Sequence, residues 1–149
     1  FSKAFGLAGE RVGWATGAPT LIDALNRLRG AFNVTASGQS AALAALGDTD
    51  FVENSAAENA AARGDFEAAI AALGNHGLRA IPSSANFVLV LFEGALTASA
   101  ALKALEDGGY AVRHLPGQGL GHALRITVGK RPDMAEVARI LRAAAEVAG

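Results

Sequence analysis

Lys3 stands in the segment FSKAFGLAGERVGW, flanked by Ser2 and followed by Gly6, Gly9 and Arg11. A lysine amine is a nucleophile only when unprotonated, which burial or a neighbouring cation favours. Phe1, Phe5 and Leu7 give Lys3 apolar neighbours in sequence. The glycines let the backbone reverse, so that Lys3 and Arg11 can converge although they do not share one helical turn. Ser2 adds a hydroxyl. An amine beside hydroxyl and guanidinium donors suits a phosphorylated aldehyde such as pyridoxal phosphate, whose aldehyde needs the amine and whose phosphate needs fixed donors. The same spacing also describes a surface lysine in a glycine-rich turn. It is not a P-loop, because no G-x-x-x-x-G-K-[ST] is present.

Two later arginines bear on chemistry: Arg113 in YAVRHL and Arg125 in LRITVG. A guanidinium fork matches carboxylate or phosphate bidentately and stays charged at any working pH. The ordinary alternatives are an acidic cross-strand partner for Arg113 and a water-facing strand position for Arg125, where Arg125, Thr127 and Gly129 alternate with Ile126 and Val128. His76, His114 and His122 lack ligand spacing, so no metal site is expected. His122, beside Gly121, is a minor candidate for the substrate's vicinity. Asn86 in SSANF is a loop-orienting or plain turn residue, and Trp14, the only tryptophan, is expected in the core.

The elements that must carry these residues follow from periodicity. RVGWATG reads as a short strand, and LIDALNRLRGAF as a helix with Pro19 in its first turn and Thr16 or Thr20 as cap. From about position 39 to 73 an alanine-rich stretch suits one or two helices, with breaks expected near Gly47-Asp48-Thr49 and Gly64-Asp65. GLRAIPSSANFVLVLF contains two strand-like pieces split by Pro82-Ser83-Ser84. A helix over about 95–107, the strand YAVRHL, the flexible PGQGLGHA, the strand LRITVG and a helix over about 132–148 complete an α+β lobe.

Composition narrows the class. The 149 residues hold 13 basic and 14 acidic side chains, which gives no electrostatic case for nucleic acid. Cysteine is absent, excluding disulfides and thiolate metal sites. No run of apolar residues has the length of a membrane span, so no membrane partner is expected and the cytoplasm is the default location. Position 1 is not Met, and we expect an upstream portion.

SKAFGLAGERVGW resembles the S-K-x-[FY]-G-L-A-G-x-R-x-G-[WYF] segment of fold-type I pyridoxal-phosphate aminotransferases, in particular the histidinol-phosphate branch. FNVTASGQSAALAAL, SSANFVLV and LRITVG resemble that branch's later segments in the same order, so the resemblance covers almost the whole chain. It implies an α/β fold in which residues 1–35 end a large three-layer α/β/α cofactor domain, 36–73 form an interdomain helical segment and 74–149 a small C-terminal α+β domain. It implies that Lys3 attaches to pyridoxal 5'-phosphate and then moves a proton at the substrate α-carbon. Ser2 and Arg11 would hold the cofactor phosphate, Arg125 the substrate carboxylate and Arg113 the substrate's phosphate or other anionic end. The implied reaction is amino transfer between histidinol phosphate and 2-oxoglutarate in histidine biosynthesis, by a homodimer acting on small amino and keto acids.

The family's acidic partner of the pyridine nitrogen and its ring-stacking aromatic residue lie upstream of the lysine and are not in this chain. These 149 residues alone are therefore expected to have little or no transaminase activity. The varied glycine-rich loop between Arg113 and Arg125 leaves the task of Arg113 open. Alternatives that share most of these motifs are an aromatic amino-acid aminotransferase, a phosphothreonine decarboxylase, and a ligand-sensing aminotransferase-like domain of a regulator.

Overall fold

A computed structural model describes residues Phe1–Gly149, which divide into two units, Phe1–Ala56 and Ala57–Gly149. The first unit opens with a run of turns and an extended segment, followed by helices α1 (Pro19–Leu28) and α2 (Ala36–Gly47) and the start of α3 (Thr49–Ala71). The strand expected over residues 11–17 does not form. Arg11 takes a left-handed φ of 56°, and the extended residues after it have no ladder partner to satisfy their backbone. Trp14 is 78% exposed in this chain, so the core position expected for it is not borne out.

Pro19 opens α1, where its missing N–H costs nothing, but Ala18 is the N-cap and makes no side-chain bond, so neither expected threonine caps it. Helix α2 has a true cap: the Thr35 hydroxyl accepts from Gly38 N at 3.0 Å. Asp48 ends α2 and then caps α3 by accepting from Phe51 N at 3.1 Å, so one residue makes the break expected there. The second expected break is absent, since α3 runs through Gly64. A single interior glycine costs only about 1 kcal/mol, and the alanines around it favour the helix.

The second unit is an antiparallel sheet with helices on one face. Its strands are β1 (Leu78–Ile81), β2 (Phe87–Phe92), β3 (Arg113–Leu115) and β4 (Leu120–Thr127), ordered β1-β2-β4-β3. Alternation divides the side chains of the sheet. Val88 pairs with Ile126 and Val90 with Leu124, and these join a core with Ala62, Phe66 and Ile70 of α3, α4 (Ala98–Asp107) and α5 (Arg131–Ala148). Leu124, Leu105, Leu141 and Ile70 are fully buried, so each contributes about 1.5–3 kcal/mol of burial. Helix α4 starts at Ala98, later than expected, because the Thr97 hydroxyl caps it by accepting from Ala100 N. The stretch expected to be a flexible loop shortens to a 3-10 turn at Pro116–Gln118, and β4 already begins at Leu120. No helix is long and apolar enough to cross a membrane.

Candidate active site

Four hydrogen bonds fold the Lys3 segment back on itself. The Phe1 nitrogen donates to the Val12 carbonyl at 3.2 Å and Leu7 N to Phe1 O at 3.1 Å. Gly6 N donates to Lys3 O at 2.9 Å and Glu10 N to Leu7 O at 3.2 Å. Lys3 therefore begins a tight turn that closes at Gly6, whose φ of 69° suits glycine. Ser2 and Arg11 each lie one residue inside the Phe1–Val12 tie, so the backbone brings them to one end of the loop.

Ser2 is half-buried and Lys3 and Arg11 are exposed. Phe1 and Phe5 pack on each other, ring centroids 4.8 Å apart, rather than enclosing the lysine as their sequence positions suggest. Arg11 spends one donor on the loop, Nη1 to the Ala8 carbonyl at 2.8 Å, and pairs with no carboxylate. A hydroxyl and an unneutralised guanidinium at one loop end, with an amine on the next residue, fit the phosphate and aldehyde of a phosphorylated aldehyde.

The backing of this loop was not singled out from the sequence. A Cβ on Gly38 would lie 3.0 Å from Val12 Cγ2 and 3.4 Å from the Glu10 carbonyl, so the first turn of α2 packs closely behind the residues flanking Arg11. Ser37 Oγ donates to Glu10 Oε2 at 3.4 Å, a second tie between them. A glycine in an alanine-rich helix gives no sequence signal for such an approach.

In the second unit Arg113 and Arg125 are Cα partners across β3 and β4, and Leu89 is the partner of Arg125 on β2. Their face is the one opposite Leu124 and Ile126, away from the helices. Arg113 is exposed; Arg125 is partly buried, and its Nε is buried without a hydrogen-bond partner. The Arg125 guanidinium carbon sits 5.1 Å from the centre of the Phe87 ring. The unit's ion pairs are Arg79–Glu93, Lys103–Asp107, Arg131–Asp65 and Arg139–Glu136, so neither candidate arginine is neutralised. The acidic cross-strand partner weighed for Arg113 is another arginine instead.

The loop before Phe87 is fastened on both sides. Arg63 Nη1 donates to the Ala85 carbonyl at 3.0 Å, and Glu67 Oε1 accepts from Ser83 N at 3.0 Å. Ser83 Oγ donates to the Phe87 carbonyl at 2.6 Å, and the Asn86 carbonyl accepts from Val128 N at 2.9 Å. Asn86 thus serves through its backbone. His114 closes the β3–β4 connection, Nε2 donating to the Gly121 carbonyl at 2.8 Å.

One groove of this unit lies elsewhere. It holds about 340 Å³ between the end of α3 and β1, is lined by Glu67, Leu78, Arg79, Pro82 and Glu93, and contains none of the candidate residues. Arg79 and Glu93 close it with a bidentate pair at 2.9 and 3.2 Å, which holds the Glu93 carboxyl below its usual range and the Arg79 guanidinium above its own. The candidate donors stand on turns and strands, Lys3, Arg11 and Arg113 exposed and Arg125 partly buried.

The chain belongs to the aminotransferase class I and II family, whose family model matches residues 1–142. It is 63% identical over 148 residues to a histidinol-phosphate aminotransferase of Erythrobacter litoralis (strain HTCC2594), covering 99% of this chain and 40% of that protein. It is 60% identical over 141 residues to a histidinol-phosphate aminotransferase of Zymomonas mobilis subsp. mobilis, covering 95% of this chain and 38% of that one. The chain thus spans about two-fifths of the length of these relatives.

Among solved structures, the histidinol-phosphate aminotransferase of Sinorhizobium meliloti in complex with pyridoxal-5'-phosphate superposes with a TM-score of 0.79 at 28% identity, covering 99% of this chain and 40% of that one. A decarboxylase from Sulfurospirillum multivorans superposes with a TM-score of 0.75 at 26% identity, covering 97% of this chain and 41% of that one.

Proposed function

We propose that this chain forms part of a pyridoxal-phosphate-dependent aminotransferase that moves an amino group between histidinol phosphate and 2-oxoglutarate in histidine biosynthesis. The observation that carries the proposal is the closed loop that sets Lys3 beside Ser2 and Arg11. Bound pyridoxal phosphate supplies an aldehyde for amino groups and a ring that draws electrons from the substrate α-carbon. Ser2 and Arg11 hold its phosphate by charge-assisted hydrogen bonds. Lys3 would be the residue that attaches the aldehyde, and its amine would move the proton at the substrate α-carbon.

Arg125 takes the substrate carboxylate in its fork, and Arg113 takes the phosphate end of histidinol phosphate. Each charge-assisted contact contributes about 1.5–3 kcal/mol. The assignment of residues 1–35 to the end of a cofactor domain, 36–73 to an interdomain helical segment and 74–149 to a small domain, and the working form as a cytoplasmic homodimer, belong to the same proposal. A decarboxylase on this framework is the second reading, favoured by the similarity to the Sulfurospirillum multivorans enzyme.

Borohydride reduction of the natural-length protein with its cofactor is expected to fix the label on the peptide containing Lys3, and Lys3→Ala to abolish turnover. Label elsewhere, or full activity in Lys3→Ala, overturns the assignment. Turnover of histidinol phosphate with 2-oxoglutarate, set against aromatic amino acids and carbon dioxide release from phosphothreonine, decides the substrate.

A further inference from the structure

Arg125 poses a physical problem that the proposed function leaves open. Its Nε is buried without a partner, its cross-strand neighbour is another cation, and no carboxylate fixes it. A long side chain in that situation has several rotamers available, yet a carboxylate-binding fork must already point one way for binding to be strong. The ring of Phe87 lies 5.1 Å from the guanidinium carbon.

We propose that Phe87 is a positioning residue for the substrate carboxylate, its ring face holding the Arg125 guanidinium in plane while leaving the N–H donors unspent; this rests on the reading of Arg125 as the carboxylate anchor. An aromatic face attracts a guanidinium through its quadrupole and accepts no N–H in the plane of the fork, whereas a carboxylate partner would occupy the donors that the substrate needs. The register makes the stack a property of the sheet. Phe87 pairs with Thr127 and Leu89 with Arg125, so Phe87 is the diagonal neighbour of Arg125 on the same face, within reach of an aromatic side chain. The start of β2 is in turn pinned by Ser83 Oγ on the Phe87 carbonyl and by Val128 N on the Asn86 carbonyl. The ring therefore has a fixed backbone from which to hold the arginine.

The test uses the natural-length holoprotein and two variants. Phe87→Leu keeps most of the apolar volume and removes the ring face; Phe87→Trp keeps a face. Titration with 2-oxoglutarate by calorimetry is expected to show binding weakened about three- to thirtyfold in Phe87→Leu and within about twofold of the parent in Phe87→Trp. The ¹⁵N-resolved Nε–H resonance of Arg125, assigned by its loss in Arg125→Lys, is expected to be ring-shifted in the parent and in Phe87→Trp and to move to the ordinary arginine position in Phe87→Leu. Parent-like affinity in Phe87→Leu overturns the proposal, as does equal weakening in both variants, which would mean the site needs only phenylalanine's shape. If the parent itself does not bind 2-oxoglutarate, the carboxylate role of Arg125 fails. The resonance then decides the stack alone, and an unmoved signal in Phe87→Leu overturns it.

Discussion

Arg113 and Arg125 stand directly opposite one another across the β3–β4 pair, two cations on one face of the sheet with no acidic side chain between them. Like charges at directly opposed positions cost about 0.2–1 kcal/mol relative to a neutral pair. The buried Nε of Arg125 adds an unmet donor. A fold that bears both costs at one spot gains most from an anion placed there.

Stability should therefore depend on small anions through this pair. At low ionic strength, adding inorganic phosphate is expected to raise the thermal midpoint, because a ligand that binds only the folded state stabilises it. Arg113→Gln relieves the repulsion, so it is expected to stabilise the phosphate-free protein by a few tenths of a kcal/mol. The same variant is expected to lose most of the phosphate response. A scanning-fluorimetry phosphate titration reads both effects, and an undiminished response in Arg113→Gln excludes the pair as the anion's seat.

Much of this lobe was legible from sequence because its signals are local. The continuous apolar run from Phe87 to Phe92 announces a buried central strand, and Pro82-Ser83-Ser84 announces the loop before it. The apolar period of the last helix picks out Val137, Ile140, Leu141 and Val147; Val137 and Leu141 lie in the core and Ile140 packs against it, whereas Val147, in the last turn, is 89% exposed. Arg11–Gly17 misled because alternation reports only that a segment can be a strand, while a ladder needs a partner that no local pattern specifies. Trp14 misled because hydrophobicity states a preference, and its burial depends on what surrounds it. In the candidate site, residue types were legible at Lys3 and Arg125. The packing of Gly38 behind Val12 and of Phe87 against Arg125 was not, since both join residues distant in sequence.

Two glycines with similar backbone angles should differ sharply in what they tolerate. Gly77 has φ 76° and Gly109 has φ 84°. A Cβ at Gly109 meets nothing within 4 Å, whereas one at Gly77 collides with the Gly94 backbone nitrogen where Glu93 N donates to Gly77 O at 2.7 Å. Gly109→Ala is expected to cost about 1–2 kcal/mol, the left-handed penalty alone. Gly77→Ala must also push β1 and β2 apart, which adds about 1–3 kcal/mol of overpacking. Urea unfolding of the two variants measures the gap, and equal losses would mean that the end of the β1–β2 pair at Gly77 and Gly94 yields freely.

The Arg79–Glu93 pair sets a pH dependence with a definite sign. Hydrogen bonds from Arg79 hold the Glu93 carboxyl below its ordinary 4.5; desolvation opposes them, and the charges of Arg79 and His122 add to the lowering. A carboxyl lowered by folding contributes stability that is fully present above its unfolded value and is lost as pH falls through its folded value. Acid unfolding of the parent should thus steepen below about pH 4.5, and Glu93→Gln should flatten that limb by being slightly less stable than the parent at neutral pH and converging on it at low pH. Both side chains are about half exposed, 54% and 48%, so the difference should shrink in 1 M salt, where the screening length is only about 3 Å. A limb unchanged by Glu93→Gln would assign the acid sensitivity to other carboxylates.

Helix α3 should control the order of the loop that leads into Phe87. Arg63 and Glu67, one helical turn apart, grip the Ala85 carbonyl and the Ser83 amide. The Ser83 hydroxyl accepts from Ala85 N at 3.0 Å and donates to the Phe87 carbonyl, so the grip passes along the loop to the start of β2. Removing one charged partner costs about 1.5–3 kcal/mol locally, less where water replaces it. In Glu67→Ala the Ser83 amide is expected to exchange its hydrogen at least tenfold faster, while the amide of Val90 in the buried strand keeps its parental rate. Arg63→Ala should speed exchange at Ala85 through the loosened loop without changing the slowest core amides. Uniformly faster exchange across β2 and β4 would instead mean that these side chains hold the whole sheet, and unchanged exchange at Ser83 would show that Glu67 holds nothing there.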